Sequence, residues 1–188
     1  EDEPVARPGI AADWLEKALA SSGIDGAEAL ALLDRAPLDL RVNALKAGRE
    51  ALDLPVPAEP TVSAHGPPPP SGTPAEQWPA FLDGRIEVQD TGSQLACEAV
   101  AAMPGETVID LCAGAGGKAL ALAASMDNRG RVIASDTDRA RLSRLAPRAA
   151  RAGATIIETV LRDPGREFHA LADWQGKADA VLVDAPCS

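Results

Sequence analysis

Val108-Ile109-Asp110-Leu111-Cys112-Ala113-Gly114-Ala115-Gly116-Gly117-Lys118 runs from an apolar stretch of strand length, through a glycine turn, into a helix-forming segment. Glycines in such a turn tolerate positive φ and let backbone N–H groups approach a ligand, and the helix N-terminus behind them favours anions and polar groups. The pattern predicts a strand over Thr107–Leu111 and a helix over Lys118–Met126. It then repeats: strand Arg131–Ser135, helix Arg139–Arg151, strand Thr155–Leu161, a short helix near Arg166–Leu171, strand Ala178–Asp184. Strands alternating with helices of this length make right-handed βαβ units on a parallel sheet, an α/β doubly wound fold. In the strand order 3-2-1-4 the last strand, with Ala180-Val181-Leu182-Val183, would be a bare apolar edge of the kind proteins cover. The sheet is therefore expected to be incomplete at its C-terminal side, with more chain after Ser188 in the intact protein.

Upstream the texture differs. Residues 11–35 carry two short amphipathic helix patterns, the first with Trp14, Leu15, Ala18 and Leu19 and the second with Ala27, Leu30, Ala31 and Leu33. Leu38–Leu45 alternates like a half-buried strand, Gly48–Leu54 fits one more short helix, and residues 55–79 hold most of the prolines, including Pro67-Pro68-Pro69-Pro70. That stretch reads as a loop with polyproline character. Arg85–Gln89 alternates like a strand, and Asp90-Thr91-Gly92-Ser93 offers caps for a helix that runs into Leu95–Met103 and stops at Pro104-Gly105. The organisation expected is a helical segment over 1–37, a small α+β subdomain over 38–90 and the α/β part over 91–188.

The 188 residues carry a net charge of −10, which argues against a general polyanion binder. The average conceals a division: residues 1–90 hold 16 acids and 7 bases, and residues 91–188 hold 12 acids and 11 bases. The acidity belongs to the front half, and the α/β half is near neutral. Its predicted helix 139–151 places Arg141, Arg144, Arg148 and Arg151 on one face, which reads as a solvated stripe or as a contact to an RNA backbone. Cys97, Cys112 and Cys187 are too few and too scattered for a zinc site or a disulfide framework. No apolar stretch is long enough to span a bilayer, and Glu1-Asp2-Glu3 offers no basic leader, so a cytoplasmic protein is expected.

Three ligands compete for the glycine turn. A phosphate loop would need a glycine where Cys112 stands and a hydroxyl where Ala119 stands. A dinucleotide fits Gly114-x-Gly116-x-x-Ala119, with Asp136 closing the second strand as a ribose-binding acid. S-adenosylmethionine uses the same geometry and gives work to Asp163 and Asp184 as well, which close the third and fourth strands on the same rim of the sheet. Val183-Asp184-Ala185-Pro186-Cys187-Ser188 then adds a carboxylate and a thiol beside the donor. Cytosine carbon 5 accepts a methyl only after a thiolate adds to carbon 6 and an acid holds N3, and an Asp and a Cys suit that chemistry.

Asp110–Lys118 (DLCAGAGGK), Asp184–Ser188 (DAPCS), Arg41–Lys46 (RVNALK) and Glu87–Ala96 (EVQDTGSQLA), in this order and spacing, resemble the RsmB/Sun/Fmu-type family of RNA 5-methylcytosine methyltransferases over roughly residues 38–188. The resemblance implies a class I, Rossmann-like methyltransferase domain, S-adenosylmethionine as donor, a cytosine of rRNA or tRNA as acceptor, and an RNA-binding role for residues 38–90. It implies that Cys112, Ala113, Gly114, Ala115, Gly116, Gly117 and Lys118 form the donor turn. Asp136 would then meet the ribose, Asp163 the adenine, and Asp184 both donor and target base. It also revises the role of Cys187, which resembles the cysteine that assists product release. The attacking thiolate is implied in a later Thr-Cys-Ser motif, expected beyond Ser188, so these 188 residues alone are expected to be inactive. Family members usually have Pro at the position of Ala115 or Thr at that of Ala119. The alternative from another class is a non-catalytic RNA-binding or assembly protein with a degenerate donor pocket. A monomer without a metal completes the expectation.

Overall fold

The computed structural model describes residues 11–32, 38–55, 74–166 and 169–185. The chain divides into two compact units, Glu1–Ala36 and Pro37–Ser188. In the first, helices α1 (Asp13–Ser21) and α2 (Gly26–Ala31) stand where the amphipathic patterns predict them. Gly23, at φ +79°, ends α1 by letting the N–H groups of Gly23 and Ile24 return to Ala20 O and Leu19 O.

The second unit begins with a two-stranded antiparallel sheet, β1 (Leu40–Val42) against β2 (Ile86–Val88), in which Leu40 faces Val88 and Val42 faces Ile86. Every residue of β1 is buried, Arg41 included, so the alternation of Leu38–Leu45 does not mark a half-solvated strand. The segment predicted as a helix over Gly48–Leu54 is a single 3-10 turn, Arg49–Ala51. Residues 56–73, with the proline run, lie outside the described residues, but the end of the supposed loop is packed. Ala75–Gln77 forms a 3-10 turn and α3 (Pro79–Leu82) starts on a proline at its first position, where a missing N–H costs nothing. Ala75, Trp78 and Ala80 close over Leu40 and Ile86 as a small core.

Helix α4 (Thr91–Val100) opens on two aspartates. Asp90 accepts the N–H of Ser93 at 2.8 Å, and Asp39 accepts both the N–H and the hydroxyl of Thr91, at 2.7 and 2.6 Å, so the orphan donors of the first turn are satisfied. The helix ends at Val100, with Ala101 left-handed, three residues short of Met103, where the expected helix ends before Pro104.

Strands β3 (Thr107–Asp110), β4 (Arg131–Asp136), β5 (Ile157–Leu161) and β6 (Ala180–Leu182) then form one parallel sheet in the order β5-β4-β3-β6. This is the expected 3-2-1-4 arrangement, with β6 at the edge and Val181 half exposed. Period-two alternation places Val108, Val132 and Ala134 on one face, against Leu120, Leu122 and Met126 of α5 (Gly117–Ser125) and the residue that follows it. Ile109 and Ile133 point to the other face, against Leu171 in the 3-10 segment His169–Trp174. Leu120 and Leu122 are almost wholly buried, and truncating either to Ala costs about 2–5 kcal/mol.

The helix predicted over Arg139–Arg151 is two, α6 (Arg139–Leu142) and α7 (Leu145–Ala152). Pro147 explains the break: it has no N–H to give to Ser143, and its ring crowds that carbonyl. Among the described residues no helix is long and apolar enough to cross a membrane.

Candidate functional site

The glycine turn between β3 and α5 is moored from four sides. Ser135 on β4 accepts the N–H of Ala113 through its carbonyl at 2.9 Å and donates its hydroxyl to Leu111 O at 3.1 Å. Arg162, buried just after β5, donates to the same Leu111 carbonyl at 2.7 Å. Asp136, at the end of β4, accepts the N–H of Gly114 through Oδ2 at 2.7 Å and that of Asp138 through Oδ1 at 2.8 Å. Arg148 of α7 donates to Ala115 O at 2.9 Å.

The glycines divide the work. A side chain on Gly114, at φ +54°, would meet nothing, so this residue faces open space. A methyl on Gly116, at φ +88°, would stand 1.9 Å from Cδ1 of Leu145, so Gly116 is required by helix packing and not by ligand approach. It is also the N-cap of α5, and no side chain caps that helix. The first N–H groups of α5 are therefore open to an anion at its N-terminus.

A cavity of about 360 Å³ lies beside this turn, lined by Gln89, Asp90 and Ser93 on one side and by Asp110, Cys112, Ala113, Gly117 and Lys118 on the other. Asp110 is its floor. As the last residue of β3 it shares the helix-facing side with Val108 and is wholly buried, and neither carboxylate oxygen has a hydrogen-bond partner among the described residues. Burial pushes its pKa up to about 6; Lys118 pulls it down and Asp184 pushes it up further, while the N–H groups of Cys112 and Ala119 are directed toward it without completing a hydrogen bond and lower it. A carboxylate in this state is under-compensated, and a cationic group entering the cavity would relieve it.

Lys118 Nζ sits 2.5 Å from Oδ2 of Asp184, whose side chain is 57% exposed just beyond β6. The structure thus joins Lys118 to Asp184 over Asp110 and ties Asp136 to Gly114. Asp163 is exposed at the carboxyl end of β5. Cys187 lies outside the described residues. The Cys97 thiol is buried on α4 and held at about 11, chiefly by desolvation. Among the described residues no group of three or more His, Cys, Asp and Glu is placed to hold a metal.

Sequence reasoning missed three members of the site. Asp110 carried a signal, an acid closing an otherwise apolar strand. Arg162 and Arg148 carried none, because their partners are carbonyls far away along the chain. The arginine stripe also changes meaning. Arg141 and Arg144 are exposed, but Arg148 and Arg151 turn inward to Glu87, so neither a solvated face nor an RNA contact describes all four.

Residues 98–188 match the family model described as 16S rRNA methyltransferase RsmB/F. The probable ribosomal RNA small subunit methyltransferase B of Bacillus subtilis (strain 168) is 32% identical over 191 residues, which cover 94% of this chain and 41% of that protein. A crystal structure of PH0851 superposes with a TM-score of 0.75 at 28% identity, over 97% of this chain and 46% of the other. NSun6 from Pyrococcus horikoshii, solved with SFG, superposes with a TM-score of 0.54 at 29% identity, over 60% of this chain and 28% of the other. The chain spans about two-fifths of the length of the curated relatives it matches here.

Proposed function

Because the chain belongs to the RsmB/F methyltransferase family through residues 98–188, we propose that it binds S-adenosylmethionine at the β3 turn and is the donor-binding part of an enzyme that methylates carbon 5 of a cytosine in RNA, with ribosomal RNA favoured over transfer RNA. The observation that carries this reading is Asp110, a wholly buried carboxylate whose oxygens have no hydrogen-bond partner among the described residues, beside a helix N-terminus whose N-cap glycine supplies no side-chain cap. A ligand ending in an α-amino acid matches that pair: its ammonium answers Asp110, and its carboxylate answers the N–H groups of α5. A nicotinamide dinucleotide would set its anionic pyrophosphate at this helix N-terminus, beside a carboxylate that calls for a cation.

S-adenosylmethionine would supply a methyl group on a sulfonium sulfur. The protein's contribution is to hold and orient. Each oxygen of Asp136 already accepts one backbone N–H and keeps a second acceptor direction, which suits two neighbouring hydroxyls of a ribose. Gly114 leaves room beside it. Asp163 is assigned to the adenine. Asp184, half exposed and paired with Lys118, is assigned to the donor on one side and to N3 of the base on the other. Cys187 is assigned the auxiliary role in product release. The small sheet and its neighbours, residues 38–90, are assigned to the RNA.

Calorimetric titration with S-adenosylmethionine, and transfer of a labelled methyl group to unmodified 16S rRNA by the intact protein, test the reading. Saturable one-to-one binding, lost in Asp110→Asn and Asp136→Ala, is expected. Equal affinity in both variants would sink it, as would binding of NAD in preference. Methyl appearing on a base other than cytosine would overturn the acceptor and leave the donor assignment standing.

A further inference from the structure

Glu87 on β2 is 1% exposed, and each of its carboxylate oxygens is taken by an arginine of α7. Nη2 of Arg148 lies 2.9 Å from Oε2, and Nη2 of Arg151 pairs with Oε1. The two guanidiniums then part. Arg151 turns to the small sheet's side, donating to Phe81 O at 3.0 Å with its charge 3.8 Å above the Phe81 ring. Arg148 turns to the glycine turn, donating through Nη1 to Ala115 O at 2.9 Å, and its side chain lines the cavity above Asp110.

The carbonyl it holds lies in the middle of the glycine turn. Ala115 stands between Gly114 at φ +54° and Gly116 at φ +88°, so the flanking dihedrals are those of the least restrained residue type. That carbonyl belongs to the Ala115–Gly116 peptide, whose N–H donates to Ala113 O at 2.8 Å, so Arg148 grips the other edge of the same plane. Rotation of that plane would re-aim the N–H groups that lead into α5. The planar guanidinium fork fixes that plane because its other arm is locked on a buried carboxylate. We propose that Arg148 is a positioning residue for the glycine turn and that Glu87, on a different sheet, holds Arg148 in place. Donor affinity then depends on a carboxylate that never touches the donor, a consequence that rests on the donor reading given above.

Hydrogen exchange of the whole chain, read at the amides of residues 113–117, tests the positioning without the donor. Titration with S-adenosylmethionine then tests the consequence. In Arg148→Met, exchange at the turn should be about tenfold faster or more, and the affinity several-fold lower. Glu87→Gln should move both in the same direction by less. Arg148→Lys should fall between, because an ammonium stays beside Glu87 but cannot reach Ala115 O as well. Arg151→Met breaks the other half of the pairing. It should lower the melting temperature while turn exchange stays within about twofold of wild type.

Unchanged exchange at the turn in Arg148→Met overturns the proposal whatever the donor does. Faster exchange in a protein whose wild type takes up no S-adenosylmethionine supports the positioning and overturns the donor reading instead. If Arg148→Met does not fold, Arg148→Lys and Glu87→Gln decide, and wild-type exchange in both overturns the proposal.

Discussion

The N–H of Gly114 donates to Oδ2 of Asp136 across 2.7 Å, so the acid that closes β4 is first of all an anchor for the turn that follows β3. Asp136→Ala should therefore cost stability as well as donor affinity, about 1–3 kcal/mol for a backbone donor left without its charged acceptor. Asp136→Asn keeps one acceptor and should recover part of the stability with little of the affinity. Denaturant melts set beside calorimetry check the split. A variant that loses affinity at wild-type stability would show that the anchor is dispensable.

Asp110 gives the protein a pH signature. Its folded pKa of about 6 stands above the ordinary 3.8, so between those values the native state binds more protons than the unfolded chain. Stability should fall as pH rises from about 4 to 6 and level off above, a loss on the order of 2–3 kcal/mol. Asp110→Asn removes the loss: it should melt higher than wild type at pH 7.5 and near wild type at pH 4. A donor's ammonium needs the ionised form, so affinity should decline below about pH 6 in the wild type. Identical melting at pH 7.5 would contradict the burial argument.

Lys118 and Asp184 act on Asp110 in opposite senses, the first lowering its pKa and the second raising it. Lys118→Met should move the pH midpoint of the melting curve upward, and Asp184→Asn should move it downward. Shifts in the same direction would mean that the 2.5 Å pair acts only as a surface tie.

The glycines should separate by cause. Gly116→Ala drives a methyl to 1.9 Å from Leu145 Cδ1, and Gly84→Ala drives one to 2.1 Å from the carbonyl oxygen of Arg151. Both should cost several kcal/mol, the second more because backbone cannot step aside. Gly114→Ala meets no atom and should cost only about 1–2 kcal/mol for its left-handed conformation. It adds a methyl next to Asp136, so its affinity should fall by more than its stability. Urea midpoints and donor titrations on the three variants read this directly.

The α/β half was legible because its signals are local. Apolar runs of strand length alternate with helix-length segments, which yields a parallel sheet, and the doubly wound fold brings with it the order β5-β4-β3-β6 that is seen. Asp136 and Asp184 were legible for the same reason, since a parallel sheet brings the ends of its strands to one rim. The joint between Glu87 and the two arginines was not, because 61 and 64 positions separate the partners and a helical wheel does not say what packs on it. Pro147 did carry a warning that the stripe over 139–151 could not be one straight face. At Ala115, where the resemblance leads one to expect the stiffness of proline, the bond from Arg148 supplies a fixed plane by other means.

Asn43 donates through one amide nitrogen to Gly84 O and to Ala152 O, each at 2.7 Å, and Lys46 Nζ donates to Asp83 O at 2.8 Å and to Arg151 O at 2.6 Å. The last carbonyls of α7 are thus capped by side chains that come a hundred residues earlier in the chain. A protein begun at Thr91 would keep every strand of the parallel sheet and still lose the cap of α7, the counter-charge of two arginines, and both aspartates that open α4. The smallest piece that keeps the turn in shape therefore starts before β1. Grafting the α/β half alone onto another domain should yield a sheet whose glycine-turn end has come loose.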